Sequence, residues 1–154
     1  MEREVRWATT DVTHDFGRRL GALLRAGDVL VLTGDLGAGK TTLTQGIAEG
    51  LGVRGPITSP TFVIARVHPS LVGGPLLVHV DAYRLGSALE LDDLDLDADL
   101  DASVTVVEWG AGLAEQLSES RLELTITGED ERRARLVGVG ERWDDVLDAV
   151  APPP

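Results

Sequence analysis

Gly34-Asp35-Leu36-Gly37-Ala38-Gly39-Lys40-Thr41 decides the fold of this chain. The octet fits the phosphate-binding pattern G-x-x-x-x-G-K-[ST] at every position. Ahead of it runs Val29-Leu30-Val31-Leu32, a short, unbroken apolar stretch of the kind that forms a strand covered on both faces. Behind it the spacing predicts a helix over Lys40–Leu51, with Leu43, Ile47 and Leu51 on one face. Strand, glycine loop, helix is the context such a loop requires. Lys40 is also the only lysine; every other residue among the 14 Lys and Arg is arginine.

The chemistry follows from the residue types. Gly34, Gly37 and Gly39, with Asp35, Leu36 and Ala38 between them, are expected to turn tightly and aim backbone N–H groups inward. With the helix N-terminus behind them, these groups would cradle a β-phosphate. Lys40 would add a point charge for the β- and γ-phosphates, and the Thr41 hydroxyl, followed by Thr42, is placed to ligate Mg²⁺. Such a site also needs acids at the ends of neighbouring strands. Two are available: Asp81 closes Leu76-Leu77-Val78-His79-Val80, and Glu108 closes Val104-Thr105-Val106-Val107. In a parallel sheet, strand ends of one sense converge on the ligand edge. Spacing alone leaves open which acid meets the metal. Thr61, in Ser59-Pro60-Thr61, sits where such proteins offer a threonine to the γ-phosphate, although a plain Ser-Pro turn fits equally well. Trp109 could line the site or pack. His79 is expected to face the packing layer, and Trp7 and Trp143 the core.

Further along the chain, Glu4–Ala8 reads as a first strand. Thr9, Thr10 and Asp11 offer N-cap chemistry for a helix whose buried positions would be Val12, Phe16, Leu20, Leu23 and Leu24, ended by Gly27. Thr61–Val67 alternates as a strand. A short helix is expected near 112–117. Leu122–Thr127 and Arg135–Val139 read as a hairpin, and Asp144–Val150 as a last helix. Strands alternating with helices predict an α/β three-layer sandwich with a mainly parallel central sheet and an antiparallel hairpin at one edge. A single domain over residues 1–150 and a proline tail over 151–154 complete the expected organisation.

Composition narrows the functional classes. With no cysteine, thiol nucleophiles, disulfides and Cys-based zinc sites are excluded. No stretch approaches the roughly 20 apolar residues of a membrane span, and the acidic start lacks a signal-peptide core, so a cytoplasmic protein is expected. The net charge of −12 argues against direct salt-sensitive binding to nucleic acid. Arg132, Arg133 and Arg135 form the only tight basic cluster, able to meet a phosphate or simply to be the solvated end of a hairpin. Glu90–Asp101, with seven acids in twelve residues, lacks the glycine and terminal glutamate of a calcium loop. It reads as a solvated face or a dock for a basic partner. The single lysine rules out the N-K-x-D guanine signature, and no LSGGQ-like stretch is present, so ATP is the expected nucleotide.

Four blocks together resemble the TsaE (YjeE) family, small P-loop ATPases of tRNA threonylcarbamoyladenosine synthesis. They are Gly34–Thr42, Ser59-Pro60-Thr61-Phe62, His79-Val80-Asp81-Ala82-Tyr83-Arg84-Leu85 and Val107-Glu108-Trp109. The resemblance implies ATP and Mg²⁺ as cofactors, slow hydrolysis alone, and TsaD and TsaB as protein partners, with tRNA met only through that complex. It implies that Thr41 and Glu108 hold the metal and that Asp81 is needed for activity. It also brings Thr9, Thr10 and a residue near Arg132 close to the nucleotide. Lys40, Asp81 and Glu108 are thus the candidate catalytic residues. A small-molecule kinase with an arginine lid, and a nucleotide-switched binding module with negligible hydrolysis, are the alternatives. The acidic run is heavier than the family pattern, and a glycine usual near Asp95 is absent.

Overall fold

Thr9 starts the first helix by accepting a hydrogen bond from the Val12 amide at 3.2 Å through its hydroxyl oxygen, with Asp11 in the first turn. In the computed structural model, residues 1–34, 39–53, 65–81, 103–108, 120–128 and 131–151 are described, Ala65, Arg66 and Asp81 by backbone alone. The elements run β1 (Glu2–Trp7), α1 (Thr10–Gly21), β2 (Val29–Thr33), α2 (Lys40–Leu51), β3 (Ala65–His68), β4 (Leu76–Asp81), β5 (Ser103–Glu108), β6 (Arg121–Thr127), β7 (Arg132–Val139) and α3 (Arg142–Val150). The second helix has the bounds the periodicity predicts. The expected helix near 112–117, the acidic run 90–101, Trp109 and the prolines at 152–154 lie outside the described residues.

Seven strands form one sheet in the order β1-β7-β6-β2-β5-β4-β3. The central four, β6, β2, β5 and β4, are parallel. The hairpin β6–β7 is antiparallel, as expected, and β1 adds outside it, also antiparallel. The opposite edge carries a further antiparallel strand, β3. Both faces of the centre are buried, as unbroken apolar runs require. Leu30, Leu32, Leu122, Leu124, Val104 and Val106 share one core with Phe16, Leu20, Leu43, Ile47, Trp143 and Leu147 of the three described helices. Val29, Val31, Val78, Val80 and Val107 fill the other face. Trp7 and Trp143 are core residues, as expected.

The first helix departs from its apolar pattern. Val12 and Leu23 were expected inside, yet they are 42% and 40% exposed. Phe16, Leu20 and Leu24 are buried as expected, but the helix completes its buried face with Thr13, Gly17 and Gly21, and it ends at Gly21 rather than running on towards Gly27. Glycines explain the rotation. A Cβ on Gly17 would lie 2.5 Å from the Leu43 carbonyl oxygen, and one on Gly46 would lie 2.2 Å from that of His14. Gly21 and Gly50 are equally tight against Ile47 and Arg18. The two helix backbones therefore touch, and a hydrophobicity count that ignores glycine misplaces the contact face. The pairing of His14 with Gly46 and of Arg18 with Gly50 makes the helices parallel, so both N-termini face the same end of the sheet.

Candidate functional site

That end is the carboxyl edge of the parallel strands. β2 finishes there at Thr33, and its partners across the sheet are Glu108 beside Leu32 and Thr125 beside Thr33. Asp81 is the register partner of Glu108, so the two strand-end acids stand side by side on adjacent strands. β6 ends at the same edge, where Thr127 pairs with Arg133 at the start of β7. Arg132 in turn pairs with Trp7 at the end of β1, which leads into Thr9 and Thr10. The topology thus gathers Thr9, Thr10, Gly34, Gly39, Lys40, Thr41, Thr42, Asp81, Glu108 and Arg132 at one edge. Asp35, Leu36, Gly37, Ala38, Thr61 and the Asp81 side chain lie outside the described residues.

The two neighbouring helix N-termini are finished differently. Thr9 caps α1, and Asp11 adds a carboxylate of the right sign for the helix dipole. For α2 the N-cap is Gly39, with φ +102°, no side-chain cap and no acid in the first turn. Only glycine adopts that backbone angle at little cost. The residue that opens α2 is Lys40, a cation at the positive end of a helix and only 5% exposed. Its Nζ donates to the Gly34 carbonyl at 2.6 Å. The Thr44 hydroxyl donates to the Lys40 carbonyl at 2.8 Å, holding the first turn from within. A glycine at the N-cap, a first turn without an acid and a buried lysine at one point together suit an anion.

Glu108 is 4% exposed. Its Oε2 lies 2.7 Å from His79 Nε2, and His79 is fully buried. Among the described residues Glu108 has no other partner. A buried carboxylate with one oxygen held and the other without a described partner fits a cation ligand. Thr41, half-buried at the first turn of α2, is the second residue expected at the metal. The sequence placed His79 in the packing layer, where it is, but missed its bond to Glu108. Aligning the two apolar runs at their acidic ends would have found it, because that sets Asp81 opposite Glu108 and His79 diagonal to it.

The arginine cluster separates. Arg135 is engaged at the outer face, donating to Glu2 at 2.6 and 3.0 Å. Arg132 shares the strand face of Ala134 and Leu136 and donates to the Gly128 carbonyl at the hairpin turn. Beside it, Glu131 accepts from Arg6 at 2.5 Å, tying β1 to the turn. That guanidinium holds the Glu131 carboxyl below its ordinary value.

A glycine loop leading from the central parallel strand into a helix, with acids at the adjacent strand ends, defines the P-loop class of α/β nucleotide-binding folds. The sequence model for "Threonylcarbamoyl adenosine biosynthesis protein TsaE" matches residues 7–136. The chain belongs to the TsaE family and to the biosynthesis of threonylcarbamoyladenosine in tRNA. The tRNA threonylcarbamoyladenosine biosynthesis protein TsaE of Streptomyces coelicolor is 62% identical over 136 residues, covering 84% of this chain and 92% of its own. The Bacillus subtilis protein of the same name is 40% identical over 92% of this chain and 90% of its own. The crystal structure of Bacillus subtilis YdiB superposes with a TM-score of 0.77 at 34% identity, covering 97% of this chain and 94% of that one. The resemblance of the four sequence blocks and the expected fold class are both borne out.

Proposed function

We propose that this protein binds Mg²⁺ and ATP at the carboxyl edge of its parallel strands and hydrolyses ATP slowly. It would act as the accessory subunit of a cytoplasmic complex, with TsaB and TsaD, that forms threonylcarbamoyladenosine on tRNA. One observation carries the proposal: Lys40 and the glycine-capped start of α2 share an edge with the adjacent strand-end acids Asp81 and Glu108. Membership of a tRNA-modifying family supplies the pathway. No helix among the described residues is long and apolar enough to cross a membrane.

In this scheme the loop from Gly34 to Gly39 and the first amides of α2 bind the phosphates. Lys40 leaves the Gly34 carbonyl to meet the β- and γ-phosphates, and a phosphate there also relieves the unfavourable cation at the helix N-terminus. Thr41 and Glu108 hold the metal. Bound Mg²⁺ supplies charge neutralisation of the leaving phosphate. Asp81 orients water or the metal's water shell, and Thr61 senses the γ-phosphate. Thr42 follows Thr41 in the first turn, and Thr9, Thr10 and Arg132 flank the nucleotide. Because the Thr9 hydroxyl caps α1, its contribution is to set the helix start beside the loop.

The kinase alternative needs a lid of three arginines over an acceptor. Arg135 is committed to Glu2, which weighs against it.

The test is the ATP hydrolysis rate of the purified protein, alone and with the TsaB–TsaD pair from the same source. A slow rate raised by the pair, and lowered about a hundredfold or more by Lys40→Ala, is expected. An unchanged rate with no complex formed would sink the assignment, as would wild-type turnover by Lys40→Ala.

A further inference from the structure

The His79–Glu108 pair is built more carefully than packing demands. Both side chains are at most 5% exposed. Burying an imidazole and a carboxylate in an apolar layer costs free energy that a valine and a leucine would avoid. β4 and β5 have just such residues at the surrounding positions: Leu77, Val104 and Val106 line the same face. The register sets His79 opposite Val106 and Asp81 opposite Glu108. The hydrogen bond therefore runs diagonally across the strand pair, from one position inside β4 to the last position of β5. The carboxylate accepts, so the imidazole carries its hydrogen on Nε2. Its Nδ1 is buried and, among the described residues, has no hydrogen-bond partner. The ring is thus held by packing on one side and spends its one bond on Glu108.

We infer that His79 is a positioning residue: it fixes Glu108 Oε2 so that the other oxygen is presented to the metal bound with the nucleotide. This rests on the Mg²⁺–ATP reading given above. A glutamate side chain has three rotatable bonds, and holding one oxygen by a fixed donor removes most of that freedom before the cation arrives. Donors in this outer position commonly change metal affinity by about ten- to a hundredfold when removed. His79 itself touches neither nucleotide nor reacting atoms in this scheme.

The test measures metal binding apart from turnover. Free Mn²⁺ is followed by electron paramagnetic resonance as it is titrated into protein with ADP, and metal-free nucleotide affinity is read with a fluorescent ADP analogue. His79→Leu is expected to weaken Mn²⁺ binding about ten- to a hundredfold while metal-free nucleotide affinity stays at the wild-type value. His79→Gln, which keeps an N–H donor near the position of Nε2, should restore most of the loss. Unchanged Mn²⁺ affinity in His79→Leu, alongside a clear loss in Glu108→Gln, overturns the positioning role and leaves the metal site standing. Failure of wild-type protein to bind Mn²⁺ with nucleotide overturns both. If His79→Leu does not fold, nitrogen-resolved imidazole spectra of the wild-type protein decide, since it has only three histidines. An exchange-protected Nε2–H that shifts when Mg²⁺ and ADP are added supports the inference, and one indifferent to Mg²⁺ overturns it.

Discussion

Asp28 and Glu108 are buried carboxylates at opposite ends of the same parallel strands, and they are treated in opposite ways. Asp28, 6% exposed, precedes β2 at the amino edge. Its Oδ2 accepts from the Arg25 amide at 2.8 Å and from Arg142 Nη2 at 2.9 Å, while Oδ1 takes Arg142 Nε at 3.2 Å. Arg142 also donates to the Leu23 carbonyl at 2.9 Å and lies over the Trp143 ring. The turn after α1 is thereby stapled to the start of α3, and both carboxylate oxygens are satisfied within the chain. Glu108, 4% exposed at the carboxyl edge, has one oxygen on His79 and no other described partner. A saturated buried acid is structural. One with a single partner among the described residues, beside a helix start capped by glycine, suits the ligand site proposed above.

The comparison predicts opposite phenotypes. Asp28→Ala should cost about 3 kcal/mol of stability, because it strands the Arg142 charge. Hydrolysis by the remaining folded protein should be unchanged. Denaturant unfolding checks this, and a loss of activity without loss of stability would break the contrast. Glu108→Gln should do the reverse. Removing several kcal/mol of charge stabilisation at the metal should lower hydrolysis about a hundredfold or more. Stability should shift by less than about 1 kcal/mol, since the amide oxygen still accepts from His79. Paired kinetic and melting measurements separate the two variants.

Smaller effects sharpen the picture. Gly46→Ala should destabilise by about 1–3 kcal/mol by forcing α1 and α2 apart, and it should also weaken nucleotide binding, because the two N-termini flank the loop. A variant that is less stable but binds normally would show that the helix contact does not position the site. The least effect is expected from the exposed pair Glu2–Arg135. The guanidinium holds the Glu2 carboxyl below its ordinary 4.5. A carboxyl whose folded value is depressed contributes stability above its unfolded value and loses it as pH falls through the folded one. The wild-type protein should therefore melt slightly above Glu2→Gln at neutral pH, with the gap closing in acid below 4.5 and shrinking in high salt.

Local chemistry in the sequence was enough for the strand and helix that flank the glycine stretch and for the two strand-end acids. Each is written in consecutive residues: an apolar run, a glycine pattern, a 3.6-residue period, an acid closing a strand. The exposed Val12 and Leu23 show where that writing fails. Gly17 and Gly21 carry no hydrophobic signal, yet their missing side chains let α2 approach and so choose the buried face of α1. The hairpin strand β7 begins at Arg132, ahead of the apolar positions that mark it in the sequence, because β1 pairs with it as far as Trp7 and Arg132. By itself, then, the sequence determined that this chain has an α/β fold of the TsaE kind, with a glycine-rich stretch between a buried strand and a helix. Only the tertiary structure decided that the sheet runs β1-β7-β6-β2-β5-β4-β3, that Asp81 stands beside Glu108, and that His79 holds the latter. The physical reason is that strand order and register come from contacts between residues far apart in the chain. Side-chain partners inherit that register and have no sequence spacing of their own.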